Sequence, residues 1–161
     1  MLLRFAYMPD CKLLEGKLIY RQQEYSFDFY VAEAKTMVGG STITIGTLQI
    51  EVNGDTGCLR YIWGYWPNVT WKAVTLPTIN FFSGGVKVMP IEDVNDAIVV
   101  TLEEYEKWRT FYDAENGWLC ITPVEPEHLQ LCQHIEFARN IGASISQEQL
   151  QALWLHPFLI S

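Results

Sequence analysis

Between residues 42 and 66 the chain alternates apolar and polar side chains, and no other pattern restricts its fold as strongly. Ile43 and Ile45 alternate with Thr42 and Thr44, the phase slips at Gly46, and Leu48, Ile50 and Val52 then alternate with Gln49 and Glu51. Successive side chains of a strand point to opposite faces, so this period specifies half-buried β structure. A glycine at a phase slip predicts a β-bulge. Asn53-Gly54-Asp55-Thr56-Gly57 supplies residues that tolerate positive φ, and Leu59, Tyr61, Trp63 and Tyr65 alternate again beyond it. The segment predicts a hairpin over residues 42–66.

The same signal recurs elsewhere. Residues 2–7 read as a strand, and Tyr25, Phe27, Phe29 and Val31 alternate with Ser26, Asp28 and Tyr30. Pro67, Pro77 and Pro90 punctuate shorter strands around 69–76 and 86–89, and 118–122 is another. One stretch departs from this pattern. Thr101-Leu102-Glu103-Glu104 has the form of a capping box, and Leu102, Tyr105, Trp108, Arg109 and Tyr112 follow at helical spacing, with Gly117 just beyond. This predicts an α-helix over about residues 101–113. In the last thirty residues, Ile135, Phe137, Ile141 and Ile145 fit either period. Pro157 after residue 156, and the need of the other strands for partners, favour a C-terminal hairpin with 150–156 as its second strand. The expected fold class is α+β: a mostly antiparallel β-sheet with one main α-helix packed on it. A hydrophobic content of 49% suffices for one core, and no linker or repeat divides residues 1–161, so a single domain is expected.

Charge narrows the choice of partners. Residues 92–127 hold ten acids (Glu92, Asp93, Asp96, Glu103, Glu104, Glu106, Asp113, Glu115, Glu125, Glu127) and two bases, Lys107 and Arg109. The rest of the chain balances at nine acids against nine bases, so this tract carries the whole net charge of −8. Nucleic acid is an unsuitable partner, because phosphate contacts need clustered Lys and Arg. A basic protein suits the field better. No apolar run has the length of a membrane span and no signal segment is recognisable, so a soluble, cytoplasmic protein is the expectation. Cys11, Cys58, Cys120 and Cys132 are widely spaced without CxxC, and in that setting they read as reduced, small hydrophobes.

No motif for catalysis or a cofactor appears. There is no Gly-x-Ser-x-Gly elbow, and Ser83-Gly84-Gly85 reads as a tight turn. No glycine-rich loop leads to a phosphate-binding lysine. His128, Cys132 and His134 are the one cluster of metal-ligand types, at no standard spacing. A hydrolase would need these groups, with Glu136 or Cys120, to converge only in the fold. A non-catalytic protein with no cofactor and no metal is therefore expected.

Two features point to binding. Tyr61-Ile62-Trp63-Gly64-Tyr65-Trp66-Pro67-Asn68-Val69-Thr70-Trp71 packs five aromatics into eleven residues. In a strand Tyr61, Trp63 and Tyr65 share one face while Ile62 and Trp66 share the other. Trp66 and Trp71, at the proline end, are candidate anchors, since interfaces favour large aromatics with few rotors. The acidic tract is the second feature. In type, across the whole chain and not through a motif, this small acidic domain resembles the immunity proteins of bacterial contact-dependent and polymorphic toxin systems. The resemblance implies a tight one-to-one complex with a basic toxin domain and no turnover. Asp93, Asp96, Glu103, Glu104, Glu106, Asp113 and Glu115 would meet its Lys and Arg, with Trp66 and Trp71 as apolar anchors. The alternative is a β domain that binds a small molecule or carbohydrate on the aromatic segment.

Overall fold

The period-two segments pair with one another into two seven-stranded sheets and a two-stranded ribbon. The computed structural model describes residues 3–32, 39–89 and 99–161. Its strands open with β1 (Arg4–Met8), β2 (Gly16–Arg21), β3 (Ser26–Val31), β4 (Gly40–Ile45), β5 (Leu48–Asn53) and β6 (Leu59–Tyr65). Short strands follow as β7 (Lys72–Ala73), β8 (Phe82–Ser83), β9 (Gly85–Met89) and β10 (Val99–Thr101). The second half of the chain gives β11 (Arg109–Tyr112), β12 (Leu119–Thr122), β13 (Gln133–Ala138), β14 (Ile141–Ser146), β15 (Gln149–Leu155) and β16 (Phe158–Ile160). The first sheet has the order β10-β4-β5-β6-β3-β2-β16 and the second β7-β11-β12-β15-β14-β13-β8, with β1 and β9 forming the ribbon.

The alternation over 42–52 makes two strands, not one bulged strand. Ile45 pairs with Leu48, so Gly46 and Thr47 form a two-residue hairpin turn, and Gly46 takes the left-handed φ of 57° that such a turn needs. A two-residue turn shifts the phase of the pattern just as a bulge does. The register irregularity lies instead at Glu51/Val52, against β6. The expected hairpin is thus the three-stranded meander β4-β5-β6. The C-terminal segment also adds a strand: β13, β14 and β15 run antiparallel, and Gln147 and Glu148 turn the last pair with φ of 51° and 60°.

The predicted helix over about 101–113 does not form, and the fold is mostly β instead of α+β. Among the described residues 56% lie in strands, 7% in short helical turns, and no helix reaches seven residues. Glu104 breaks the capping box with φ 56° and ψ 30°, leaving one 3₁₀ turn at Tyr105–Lys107 before Trp108 returns to extended backbone. Trp108 and Tyr112 of the helical stripe are also an even number of residues apart, with Thr110 between them, so the same side chains satisfy a strand. β11 gains β12 on one side and β7 on the other, and that pairing overrides local helix preference.

Inward side chains of both sheets make one core. Tyr20, Phe27, Ile43, Ile50 and Ile62 of the first sheet belong to the same cluster as Ile121, Phe137, Ala143, Leu153 and Leu155 of the second, with Phe5 and Val88 added by the ribbon. The outer faces differ. That of the second sheet carries Phe111, Cys120, Ala152 and Trp154, which are buried beneath Val74, Leu76, Ile79 and Phe81 of the segment after β7. On the first sheet the outer face presents Trp63, Tyr65 and Tyr30 at 38%, 51% and 50% exposure.

This assigns Ile62 to the core and its neighbour Trp63 to the open face. Ile62→Ala should lower the free energy of urea unfolding by about 2–5 kcal/mol, as for other fully buried large-to-small changes. Trp63→Ala should cost no more than about 1 kcal/mol, mainly the loss of its hydrogen bond to Glu51. Equal losses would mean that the two faces of β6 are misassigned.

Candidate functional site

The chain crosses from one sheet to the other in residues 102–108, and this crossing shapes an apolar cleft. At its start β10 runs parallel to β4, and the amide of Leu102 donates to the carbonyl of Thr44 at 2.8 Å. Beyond it the 3₁₀ turn closes with amides of Lys107 and Trp108 donating to Glu104 and Tyr105. Trp108, 9% exposed, plugs the space between the sheets. The β4–β5 turn and the end of β6 lie at the same end of the molecule, because Leu48 pairs with Gly64.

Trp66 forms the facing wall. Its amide donates to the carbonyl of Tyr25 at 2.6 Å, its carbonyl accepts the Tyr20 hydroxyl at 2.8 Å, and its indole Nε1–H donates to Thr110 Oγ1 at 2.7 Å. Those three bonds fix a half-buried indole in place. The gap between walls is kept by Gly46: a Cβ there would stand 3.7 Å from the Trp66 ring and 3.8 Å from Tyr105. The resulting cleft has a volume of about 550 Å³ and is lined by Trp66, Tyr105, Trp108 and Phe111, with Glu106 and Lys72 among its polar groups. A second cleft of about 400 Å³ lies across the same loop, between Glu103, Glu104 and Trp108 on one side and Phe5 and Leu150 on the other.

The charges of this end are only partly neutralised. Glu104 Oε1 accepts from Lys107 Nζ at 2.9 Å, and Glu125 Oε1 accepts from Arg109 at 3.1 Å. Holding Glu104 pushes the Lys107 pKa up, though such an exposed pair adds little stability. Glu103 and Glu106 are exposed and make no ion pair among the described residues.

The structure brings together only part of the residues that sequence singled out. Trp66, Glu103, Glu104 and Glu106 share this end of the molecule. Trp71 does not: it stacks on the core at 4.9 Å from Tyr20 and 5.7 Å from Tyr112, and its Nε1 is buried without a hydrogen-bond partner among the described residues. Asp113 is a turn carboxylate, buried, accepting from the amides of Leu76 at 2.9 Å and Glu115 at 3.1 Å. Glu115 is exposed but sits beyond the opposite end of β11, roughly 10 Å of strand away. Asp93 and Asp96 lie outside the described residues.

Three aromatics stand on the outer face of the first sheet: Trp63 and Tyr65, from the aromatic segment of the alternative reading, and Tyr30, which was not selected from sequence. Trp63 donates to Glu51 at 2.8 Å, Tyr65 meets Tyr25 edge-on at 6.4 Å, and Tyr30 accepts a hydrogen bond from Arg21, which also binds Asp28 at 2.8 Å. Period-two reading does put Tyr61, Trp63 and Tyr65 on one face. Gly64, which breaks the aromatic run on the other face, pairs with Phe27 of β3, and a Cβ there would meet the Thr47 carbonyl oxygen at 2.6 Å.

The histidine–cysteine cluster does not assemble into a metal-binding group among the described residues. Cys132 packs with the outer layer of the second sheet, and Glu136 accepts from the amide of Asn140 at 2.8 Å. His134 instead joins a buried polar chain. Ser144 Oγ accepts the Trp154 indole N–H at 2.8 Å and lies 2.7 Å from His134 Nδ1. Burial in this chain favours the neutral imidazole, which makes His134 a positioned core residue. Ser144 is fully buried, so this pair offers no nucleophile to a substrate.

Comparison with known proteins returned no match to any family model, curated protein or solved structure. What the chain does has to be read from its own clefts and faces.

Burial holds the His134 pKa below its ordinary value, outweighing the hydrogen bond with the Gln130 backbone that raises it. The unfolded chain takes up this proton near pH 6.5, the folded chain only lower, so the stabilising effect is complete above about pH 6.5 and declines as pH falls below it. Unfolding free energies at pH 7 and pH 5 should differ more for the native chain than for His134→Gln. Equal differences would show that His134 is not held neutral.

Proposed function

We propose that this chain is a non-catalytic protein-binding domain that captures a basic partner at the end of the molecule built by residues 102–108 and Trp66. One observation carries the reading: exposed Tyr105 lines the Trp66 cleft together with Glu106, and Glu103 stands on the cleft across the same loop, both acids with no ion pair among the described residues. Aromatic walls give a partner side chain apolar area to bury, and the neighbouring carboxylates favour Lys or Arg. Lys107 and Arg109 are already engaged by Glu104 and Glu125, which leaves the loop negative. The cleft's lining contains one carboxylate and no histidine, cysteine or serine, which supports holding over conversion. Within this reading, the likeness in type to toxin-neutralising immunity proteins makes a cationic toxin domain the partner class to test.

A second reading has support of its own. A volume of about 550 Å³ with aromatic walls falls in the range of small-molecule sites, so the same cleft could hold an apolar ligand ring against Trp66.

Binding to a panel of cationic nuclease domains, measured at low and high salt, separates the two. A true partner should bind the Glu103→Lys, Glu106→Lys double variant at least tenfold more weakly, mostly through slower association, and with a flatter salt dependence. A binder indifferent to both reversals would remove the acidic loop from the interface. Quenching of tryptophan fluorescence by a small ligand, abolished in Trp66→Phe, would favour the second reading.

A further inference from the structure

Two of the four cysteines meet in space although 47 residues separate them: Cys11 Sγ and Cys58 Sγ are 2.9 Å apart. Strand β9 holds both. Cys11 lies across Gly85, where a Cβ would come within 2.3 Å of Cys11 Cβ and 3.1 Å of its sulfur, so only glycine leaves room for it. Cys58 forms an isolated antiparallel bridge with Lys87, two residues further along the same strand. Cys58 is further fixed by its amide, which donates to Thr56 Oγ1 at 3.2 Å, and by its carbonyl, which accepts from Asn53 at 2.8 Å. A disulfide requires the sulfurs at about 2.05 Å, a further approach of about 0.9 Å that side-chain rotation supplies.

The pair opens on a cleft of about 350 Å³ whose charged lining is Lys12 and Arg60 against one acid, Asp10. Cys11 is half-exposed there and Cys58 is buried. Burial is the main cause that raises the Cys58 pKa to about 11, which leaves Cys11 as the sulfur that a reagent reaches first. Cys120 is sealed in the outer layer of the second sheet, its thiol also pushed up by burial, and Cys132 packs on the same layer, away from this cleft.

We propose that Cys11 and Cys58 form a redox modification site that an anionic small-molecule disulfide, such as a glutathione-type peptide disulfide, converts to an intramolecular disulfide. The Cys11 thiolate attacks one sulfur of the reagent. The reagent's S–S bond breaks, a mixed disulfide forms on Cys11, and the first small thiolate leaves with the bonding pair and takes up a proton. Cys58 then gives its proton to solvent and attacks the Cys11 sulfur, expelling the second small thiolate. Two protein thiols are oxidised by two electrons, and one small disulfide is reduced to two thiols. Lys12 and Arg60 favour approach of the reagent's carboxylates. The product ties the connection between β1 and β2 to the start of β6.

The test is to incubate the full chain with glutathione disulfide, block remaining thiols with iodoacetamide, and analyse it by intact mass and non-reducing peptide mapping. The expected result is a loss of about 2 Da before alkylation, a linked Cys11–Cys58 peptide, alkylation only at Cys120 and Cys132 under denaturing conditions, and reversal by dithiothreitol. Closing so long a loop should raise Tm by about 5–10 °C. In Cys58→Ser the reaction should stop at the mixed disulfide on Cys11. Four free thiols in the native chain, a lasting adduct on Cys11 without the linked peptide, or a link through Cys120 or Cys132 would overturn the proposal. These outcomes are read on the native chain, so they stand whether or not the variant folds.

Discussion

The passage of the chain from β10 to β11 organises the end of the molecule on which its function is argued. Glu104 in a left-handed conformation ends the run beside β4, a single 3₁₀ turn redirects the backbone, and Trp108 fills the seam between the sheets before β11 begins. Without the reversal at Glu104 the capping-box sequence would continue as a helix, and β11 would be lost from between β7 and β12. The two clefts exist because this loop stands away from the turn at Gly46 on one side and from β15 on the other. Trp66 completes the arrangement by bonding Thr110 of β11 from the opposite sheet, so the cleft wall is anchored in both layers.

The second consequence of the architecture is an inequality between the sheets. One is covered on both sides, by the shared core and by the segment carrying Leu76, Ile79 and Phe81. The other is covered on one side only among the described residues. Polar partners tether the aromatic residues on its bare face: Glu51 takes the Trp63 indole proton and Arg21 serves both Asp28 and Tyr30. Such tethering suits large rings that remain in water, since it fixes their rotamers without burying them. A ring already fixed loses less freedom when a partner covers it.

Much of the sheet was legible in the sequence because side-chain period is a local property. The alternation of Ile43, Ile45, Leu48 and Ile50 marks inward positions whichever strands become neighbours. What it could not separate was a turn from a bulge at Gly46, because both displace the pattern identically and only the pairing of Ile45 with Leu48 decides. The region 101–113 failed for a related reason. Trp108 and Tyr112 satisfy periods of two and of nearly four at once, and the choice was made by strand partners distant in sequence. The candidate site was legible in its ingredients and not in its geometry. Trp66 and Trp71 look alike as two tryptophans flanking a proline turn, yet one lines a cleft and the other packs on Tyr20. Asp113 looked like one more acid of the tract, but its carboxylate caps two backbone amides inside a turn. The contact of Cys11 with Cys58 was invisible, because nothing in their spacing announces that β9 carries both.

These placements change how the acidity can act. The net charge of −8 is not a single patch, since Asp113 is spent on backbone and Glu115 lies at the other end of β11 from Glu103 and Glu106. Exposed carboxylates on a loop gain little from any one ion pair, because water screens them and their side chains lose freedom on pairing. On the proposed reading their effect is instead collective and long-ranged: Glu106 at the Trp66 cleft and Glu103 across the loop would raise the encounter rate of a cationic surface. Affinity has to come from elsewhere, from apolar area that becomes dry on contact. Around this cleft that area belongs to Trp66, whose indole is held by Thr110, and to exposed Tyr105 on the 3₁₀ turn. On the proposed reading, then, charge would select the partner and apolar area, above all the Trp66 ring held by Thr110, would retain it.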